Sequence, residues 1–278
     1  MKPFYFLFLV ICLPIHAMDF YLNKTDDLVM RGNIQGGDFK KFLNIYSNLK
    51  SPPKAFYVHS EGGNLEEAML IGEVIRQSYI PLVAPVKCSS ACFFLYASAV
   101  QRKANGNLGL HRPYFDPVYF SNLSPSNAEQ EYNRLISLSR AYLRRMGISE
   151  EYIEKMFSVD SQDIWQISSD ESDEMFGFRI PAFDEWLIAK CGKTSTGDDK
   201  VLRSYSVLQA IRLVDGDFSK LKLSQTELLE KASLALELEK AGLIEEYVQR
   251  FYSRLDCENA ATDSHIRQVF SSYKKSSD

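Results

Sequence analysis

Strand-like and helical hydrophobic patterns take turns between residues 28 and 111. The strand-like runs are residues 28–34, 55–59, 81–86 and 107–111, and the runs of helical spacing are residues 38–49, 65–77 and 91–100. Glycine pairs and a Ser-Pro-Pro break separate several of these runs. A β–α–β–α–β succession with short turns is typical of crossover units on a parallel sheet, so the pattern predicts an α/β fold.

The second half of the chain is mostly helical in pattern. The predicted helices are residues 125–146, 148–157, 168–176, 202–213, 225–241 and 243–255, with one strand at residues 164–167. A polar, glycine-containing stretch at 192–199 is typical of a linker. We therefore expect an α/β domain at residues 19–191 and an α-helical C-terminal domain at residues 200–278. Two interpretations of the helical part stay open, a partner-binding module and a packing extension of the first domain.

The N-terminal residues 1–18 have the features of a cleaved secretory signal peptide. Lys2 is followed by a short apolar run at residues 4–14, and Ala17 offers a small residue at the cleavage point. A net charge of −4 disfavours nucleic acid as the main partner. Beyond the signal, no apolar stretch has the length of a membrane span. We expect a periplasmic or secreted protein.

The mature chain then carries four cysteines, an even number in an oxidising compartment. We favour a bond between Cys191 and Cys257. A bond between Cys88 and Cys92 requires a local geometry other than a regular helix, because disulfide geometry is strict. Buried free thiols remain the alternative for both pairs. Two cysteines without further ligands do not make a metal site, and we expect neither a metal nor a cofactor.

Three short segments together supply the parts of a serine hydrolase. Ser90 lies where a strand-like run meets an apolar helix, so free backbone N–H groups, including that of Ala91, are available to a developing oxyanion. Gly62 and Gly63 form a turn after a strand, and one or the other offers a second donor where a side chain would block close approach. His111, at the end of a later strand, is the expected general base.

Each part alone has a simpler explanation. A serine at a helix start is usually a cap, and a lone histidine usually packs in the core. His59, directly before the glycine turn, is the competing base, and we expect it to be structural. The ordered combination of the three segments carries the hydrolase prediction.

The same segments resemble the Clp protease and crotonase-like superfamily, in particular its exported members. Residues 58–63 (VHSEGG) resemble the Ser-Pro-Gly-Gly turn of the Clp proteolytic subunits, residues 88–95 (CSSACFFL) their nucleophile helix, and residues 109–113 (GLHRP) their histidine segment. The resemblance covers about residues 28–185. It implies a core of repeated ββα units in a spiral, with a C-terminal α-helical extension here, and a tendency to form homo-oligomers.

The resemblance also implies a Ser-His-Asp triad. Carried over, Ser90 is the nucleophile, His111 the base, and Gly62, Gly63 and Ala91 the oxyanion-hole candidates. The family's acid precedes a strand and a helix start, which residues 164–168 match, so Asp160 is the expected acid and Asp163 the alternative.

The chain departs from the family pattern in two places. Glu61 stands where the family has proline, and Cys88 and Cys92 flank Ser90. The leading prediction is an exported serine hydrolase, a peptidase acting on a peptide or protein substrate. The alternative is a catalytically inactive binding or scaffold protein of the same fold, because both departures alter the surroundings of Ser90. Acyl-coenzyme A chemistry suits the fold but not an exported location.

Overall fold

The computed structural model describes residues 17–115, 117–214 and 224–275. All but the last two residues of the predicted signal peptide lie outside this described part. The chain divides into two compact units, one formed by residues 1–180 with 266–278 and the other by residues 181–265. The domain boundaries derived from the sequence remain a prediction.

The first unit contains a five-stranded sheet in the order β1-β2-β3-β4-β6. Its strands are β1 (Asp19–Leu22), β2 (Leu28–Arg31), β3 (Phe56–His59), β4 (Leu82–Ala84) and β6 (Arg102–Ala104). Strand β1 pairs antiparallel with β2, and the other neighbours pair parallel. Buried apolar residues alternate along β2 and β3, as is typical of strands that pack on a core.

A second sheet of three strands adjoins the first. Strand β5 (Lys87–Ser89) pairs parallel with β7 (Asn107–Leu110), which pairs antiparallel with β8 (Trp165–Ile167). A bridge between Ser60 and Cys88 links the end of β3 to β5. The candidate site lies at this junction, because the glycine turn follows β3 and Ser90 follows β5.

Helices cover the sheets of the first unit. They are α1 (Asp38–Asn48), α2 (Leu65–Ser78), α3 (Ala91–Ser98), α4 (Pro117–Phe120), α5 (Pro125–Arg145), α6 (Glu150–Ser158) and α7 (Ser169–Phe176). Every residue of α3 is buried. Such an all-apolar helix belongs in a core, where each fully buried Leu or Phe contributes about 2 kcal/mol. Helix α3 therefore holds Ser90, its N-cap residue, on a rigid support.

The second unit is helical in its described residues. It contains α8 (Pro181–Cys191), α9 (Thr196–Leu213), α10 (Gln225–Lys240) and the part of α11 (Ile244–Lys275) that precedes residue 266. Leu208 of α9 packs against Ala232 and Ala235 of α10. The predicted linker at 192–199 is shorter in the structure, because Ser195 caps α9 with its side chain.

The predicted α/β class is confirmed for the first unit, whereas the spiral of ββα units stays a prediction. The strand predicted at 81–86 is shorter in the structure and corresponds to β4 alone. Pro85, which has no N–H for a continuing ladder, follows it, and the chain then enters the other sheet as β5. Strands β1, β5 and β6 were not predicted. In the described residues, no helix has both the length and the apolarity to cross a bilayer.

Candidate active site

Ser90 forms a sharp elbow between β5 and α3. Its backbone has φ 55° and ψ −126°, a region that residues with a side chain rarely adopt. The Ser90 N–H donates to the Gly109 carbonyl at 2.7 Å, and the Phe93 N–H donates to the Ser90 carbonyl at 3.0 Å. Such strained conformations persist only when the surroundings enforce them, and they cluster at active sites.

Disulfide bonds join both predicted cysteine pairs. Cys88 and Cys92 are bonded across the elbow with a Cα–Cα distance of 5.1 Å. Cys191 and Cys257, within the second unit, are bonded with a Cα–Cα distance of 5.8 Å. The requirement for a non-helical geometry between Cys88 and Cys92 is met by Ser90, whose positive φ reverses the chain.

The glycine turn supplies one backbone donor rather than two. Gly62 and Gly63 have φ of 109° and 129°, which favours glycine at both positions. The Gly62 N–H already donates to the buried Ser60 hydroxyl at 3.1 Å. In the described part of the chain, no acceptor bonds the N–H of Gly63 or of Ala91. These two N–H groups are therefore the available oxyanion donors.

Gly62 also sets how closely the turn approaches the elbow. A Cβ atom on Gly62 would lie 2.6 Å from the Ser90 Cβ and 2.9 Å from the Ser89 carbonyl oxygen. Real Cβ atoms do not come this close, so only glycine permits the two segments to pack in this way. The role of Gly62 in the structure is spatial, and its N–H stabilises the turn.

His111 is buried, with 6% of its surface exposed, and its ring is oriented by a backbone carbonyl. The Nδ1 atom lies 2.9 Å from the Arg112 carbonyl oxygen. A carbonyl can only accept, so Nδ1 carries the hydrogen and Nε2 of the neutral ring has the lone pair. A base with its lone pair on Nε2 is the form that serine hydrolases use.

Neither predicted acid contacts the imidazole among the described residues. The Asp160 carboxylate instead accepts from the Arg112 guanidinium at 3.0 Å and from the Gln162 N–H at 3.0 Å. The Gln162 N–H and then Arg112 hold the pKa of Asp160 below its usual value. Asp163 is exposed and contributes its backbone N–H to the Asp160 carbonyl. The sequence did not indicate Arg112, whose carbonyl takes the orienting position.

Ser90, Ala91, Gly63 and His111 line one cavity of about 710 Å³. This volume is within the range of small-molecule and peptide subsites. The sequence did not predict most of the remaining wall. It includes residues on α2 to α6, in the segment after His111 and in residues 161–164, among them Leu65, Phe94, Pro113, Tyr114, Phe115, Tyr119, Arg134, Leu135, Met156 and Ile164.

Charges at the cavity are paired. Glu61, the residue that departs from the family pattern, lines the cavity and forms an ion pair with Lys87 at 2.6 Å. Glu66, also on the wall, pairs with Arg134 at 2.8 Å. Glu61 therefore does not present an uncompensated negative charge to the oxyanion donors. In the described residues, no cluster of three or more His, Cys, Asp or Glu could hold a metal ion.

Among known proteins, this chain is similar to solved structures only. No family model matches the chain, and no curated protein matches it. A solved structure of a ClpP1 point mutant from Listeria monocytogenes is similar, with 20% sequence identity and a TM-score of 0.43. The match covers 55% of this chain and 89% of the other. A likeness at this level assigns no activity and no residue role to this chain.

Proposed function

We propose that this protein is an exported serine hydrolase that cleaves peptide bonds, with Ser90 as nucleophile and His111 as general base. The observation that carries the proposal is the strained elbow at Ser90 on the same cavity as His111 and two unpaired backbone N–H groups. A nucleophile, an oriented base and preorganised donors are the elements of acyl transfer.

The reaction proceeds in two steps. The Ser90 Oγ attacks the acyl carbon while His111 Nε2 takes the hydroxyl proton, and the Gly63 and Ala91 N–H groups bind the oxyanion. The carbon–nitrogen bond then breaks as the imidazolium returns the proton to the leaving amine. Water repeats the sequence on the acyl-enzyme and releases Ser90. One oxyanion donor of this kind contributes about 10²–10³-fold to kcat.

The base operates in this proposal without a carboxylate partner. The Arg112 carbonyl fixes the tautomer of His111. Asp160 acts on His111 only indirectly. Its ion pair with the Arg112 side chain restrains the segment that carries the Arg112 carbonyl. Asp163 has no part in the chemistry.

Export and self-association belong to the same proposal. Two disulfide bonds support an oxidising compartment, since such bonds are rare in reducing ones. The predicted signal peptide leads to the periplasm or the medium. A homo-oligomer is implied by the family resemblance, and sedimentation of the mature chain measures it.

The test is hydrolysis of a mixed library of unstructured peptides by the mature protein. Ser90→Ala and His111→Gln should each abolish cleavage, because one lacks the nucleophile and the other the base. Ser89→Ala is the matched control, since its hydroxyl is the neighbouring one and is buried. Cleavage that persists in Ser90→Ala would contradict the proposal.

A second candidate function is peptide binding without turnover. It is favoured by one observation: among the described residues no hydrogen bond joins the Ser90 hydroxyl to His111, whose ring contacts the Arg112 carbonyl instead. Saturable binding of library peptides by the wild type, with no cleavage over days, would favour this function over hydrolysis.

A further inference from the structure

We infer that the Cys88–Cys92 disulfide is a positioning element that holds Ser90 in its reactive conformation. The inference rests on the proposed role of Ser90 as nucleophile. The bond joins the middle of β5 to the second residue of α3, so Ser90 is the central residue of the loop that it closes.

The span of the bond requires the chain to turn between Cys88 and Cys92. Cys88 and Cys92 are four residues apart, with Cα atoms 5.1 Å apart. Four residues of strand extend about 13 Å, whereas a disulfide holds its two Cα atoms about 4.4–6.8 Å apart. The bond therefore excludes an extended chain from Cys88 to Cys92, and the turn that brings them together is the positive-φ conformation of Ser90.

Noncovalent contacts also restrain the conformation of Ser90. The Ser90 N–H bond to Gly109 and the packing of Gly62 against Ser90 hold the elbow from two sides, but both depend on neighbouring segments. The disulfide restrains the elbow from within and does so covalently, whereas the other restraint within the turn, the Phe93 N–H bond to the Ser90 carbonyl, is a single hydrogen bond. Both sulfur-bearing side chains are fully buried, so the bond is part of the core rather than an exposed link.

The second disulfide provides a matched control. Cys191 and Cys257 are separated by 66 residues, against four for the elbow bond. Closing a longer loop restricts the unfolded chain more, so loss of this bond should lower stability more than loss of the elbow bond. None of the residues that line the candidate cavity belongs to the unit containing this control bond. The two variants therefore distinguish a general loss of stability, expected for the Cys191–Cys257 bond, from a specific loss of Ser90 positioning, expected for the Cys88–Cys92 bond.

The experiment compares the wild type with two double variants, Cys88→Ala with Cys92→Ala and Cys191→Ala with Cys257→Ala. Each protein is reacted with a fluorophosphonate probe, and the maximal inactivation rate and the half-saturating probe concentration are determined separately. For the elbow variant we expect the maximal rate to fall by about 10–100-fold, with half-saturation unchanged, because a misplaced nucleophile loses rate rather than binding. For the control variant we expect a lower Tm with a nearly unchanged rate.

Amide hydrogen exchange gives a readout that is independent of activity. The elbow variant should exchange its Ser90 and Phe93 amides faster, while the Leu82 amide, bonded to the Gln101 carbonyl, keeps its protection. If the alanine pair unfolds, Cys88→Val with Cys92→Ala restores part of the buried volume and is measured in its place.

The outcomes distinguish the two proposals. Equal inactivation rates in the elbow variant and the wild type would overturn the positioning role and leave the hydrolase intact. A wild type that does not react at all would overturn both. A pair that unfolds in both versions would make the bond a requirement of the fold and overturn the specific role at Ser90.

Discussion

Replacing Asp160 by asparagine distinguishes two mechanisms. In one, Asp160 completes a catalytic triad with His111; in the other, the Arg112 carbonyl alone orients His111. Asparagine retains an oxygen for the Gln162 N–H and removes the negative charge. In serine proteases, the loss of a carboxylate that holds the histidine lowers kcat by about 10⁴-fold. That magnitude applies only where the carboxylate bonds the imidazole directly.

The structure predicts a much smaller effect. The Asp160 carboxylate is 53% exposed and contacts Arg112 rather than His111. Exposed ion pairs are weak and screened by salt, and the orienting Arg112 carbonyl remains in the variant. We therefore expect Asp160→Asn to lower the rate of Ser90 acylation by less than about tenfold.

The assay is the rate of fluorophosphonate labelling or of peptide cleavage, measured at neutral pH for the wild type, Asp160→Asn and the control Asp163→Asn. Asp163→Asn should match the wild type. A fall in the rate of the Asp160 variant approaching 10⁴-fold, with an unchanged Tm, would show instead that a carboxylate holds His111 directly.

Two further predictions concern stability. Gly106→Ala would place a Cβ atom on the Val86 carbonyl oxygen, so we expect it to lower the free energy of unfolding by several kcal/mol. The control Gly36→Ala meets no atom and should change that free energy by less than about 0.5 kcal/mol. Urea denaturation measures both. Burial raises the pKa of Tyr46, so above about pH 10 this phenol ionises in the unfolded chain before it does in the folded one, and the free energy of unfolding falls as the pH rises. Tyr46→Phe removes a buried hydroxyl that no described residue bonds and should raise stability by about 1 kcal/mol at pH 7. It should also lessen the alkaline loss, and equal alkaline slopes in both proteins would contradict this.

Local patterns in the sequence were sufficient for much of the site. The alternation of strand and helix patterns predicts the α/β class. The position of Ser90 between a strand-like run and an apolar helix predicts its place at a helix N-terminus, where the structure has it as the N-cap of α3. The even number of cysteines favours disulfide bonds, and the structure contains two. These features depend on residues close in the chain or on simple chemical rules.

The remaining features depend on contacts that no local pattern encodes. Ser60 lies two residues before Gly62, and only the folded turn directs its hydroxyl to that N–H. The Arg112 carbonyl orients His111 through a backbone atom, which every residue type possesses and which therefore leaves no signal in the sequence. The strands β4 and β5 enter different sheets, a division that depends on tertiary pairing rather than on the apolar run itself.

The role of Ser90 as nucleophile is tested most directly by locating the fluorophosphonate adduct on the folded mature protein by mass spectrometry. We expect a single adduct on Ser90 that is absent from Ser90→Ala, slowed in His111→Gln and retained in Ser89→Ala. An adduct on any other residue, or none on a folded wild-type sample, would contradict the assignment of Ser90 as the nucleophile.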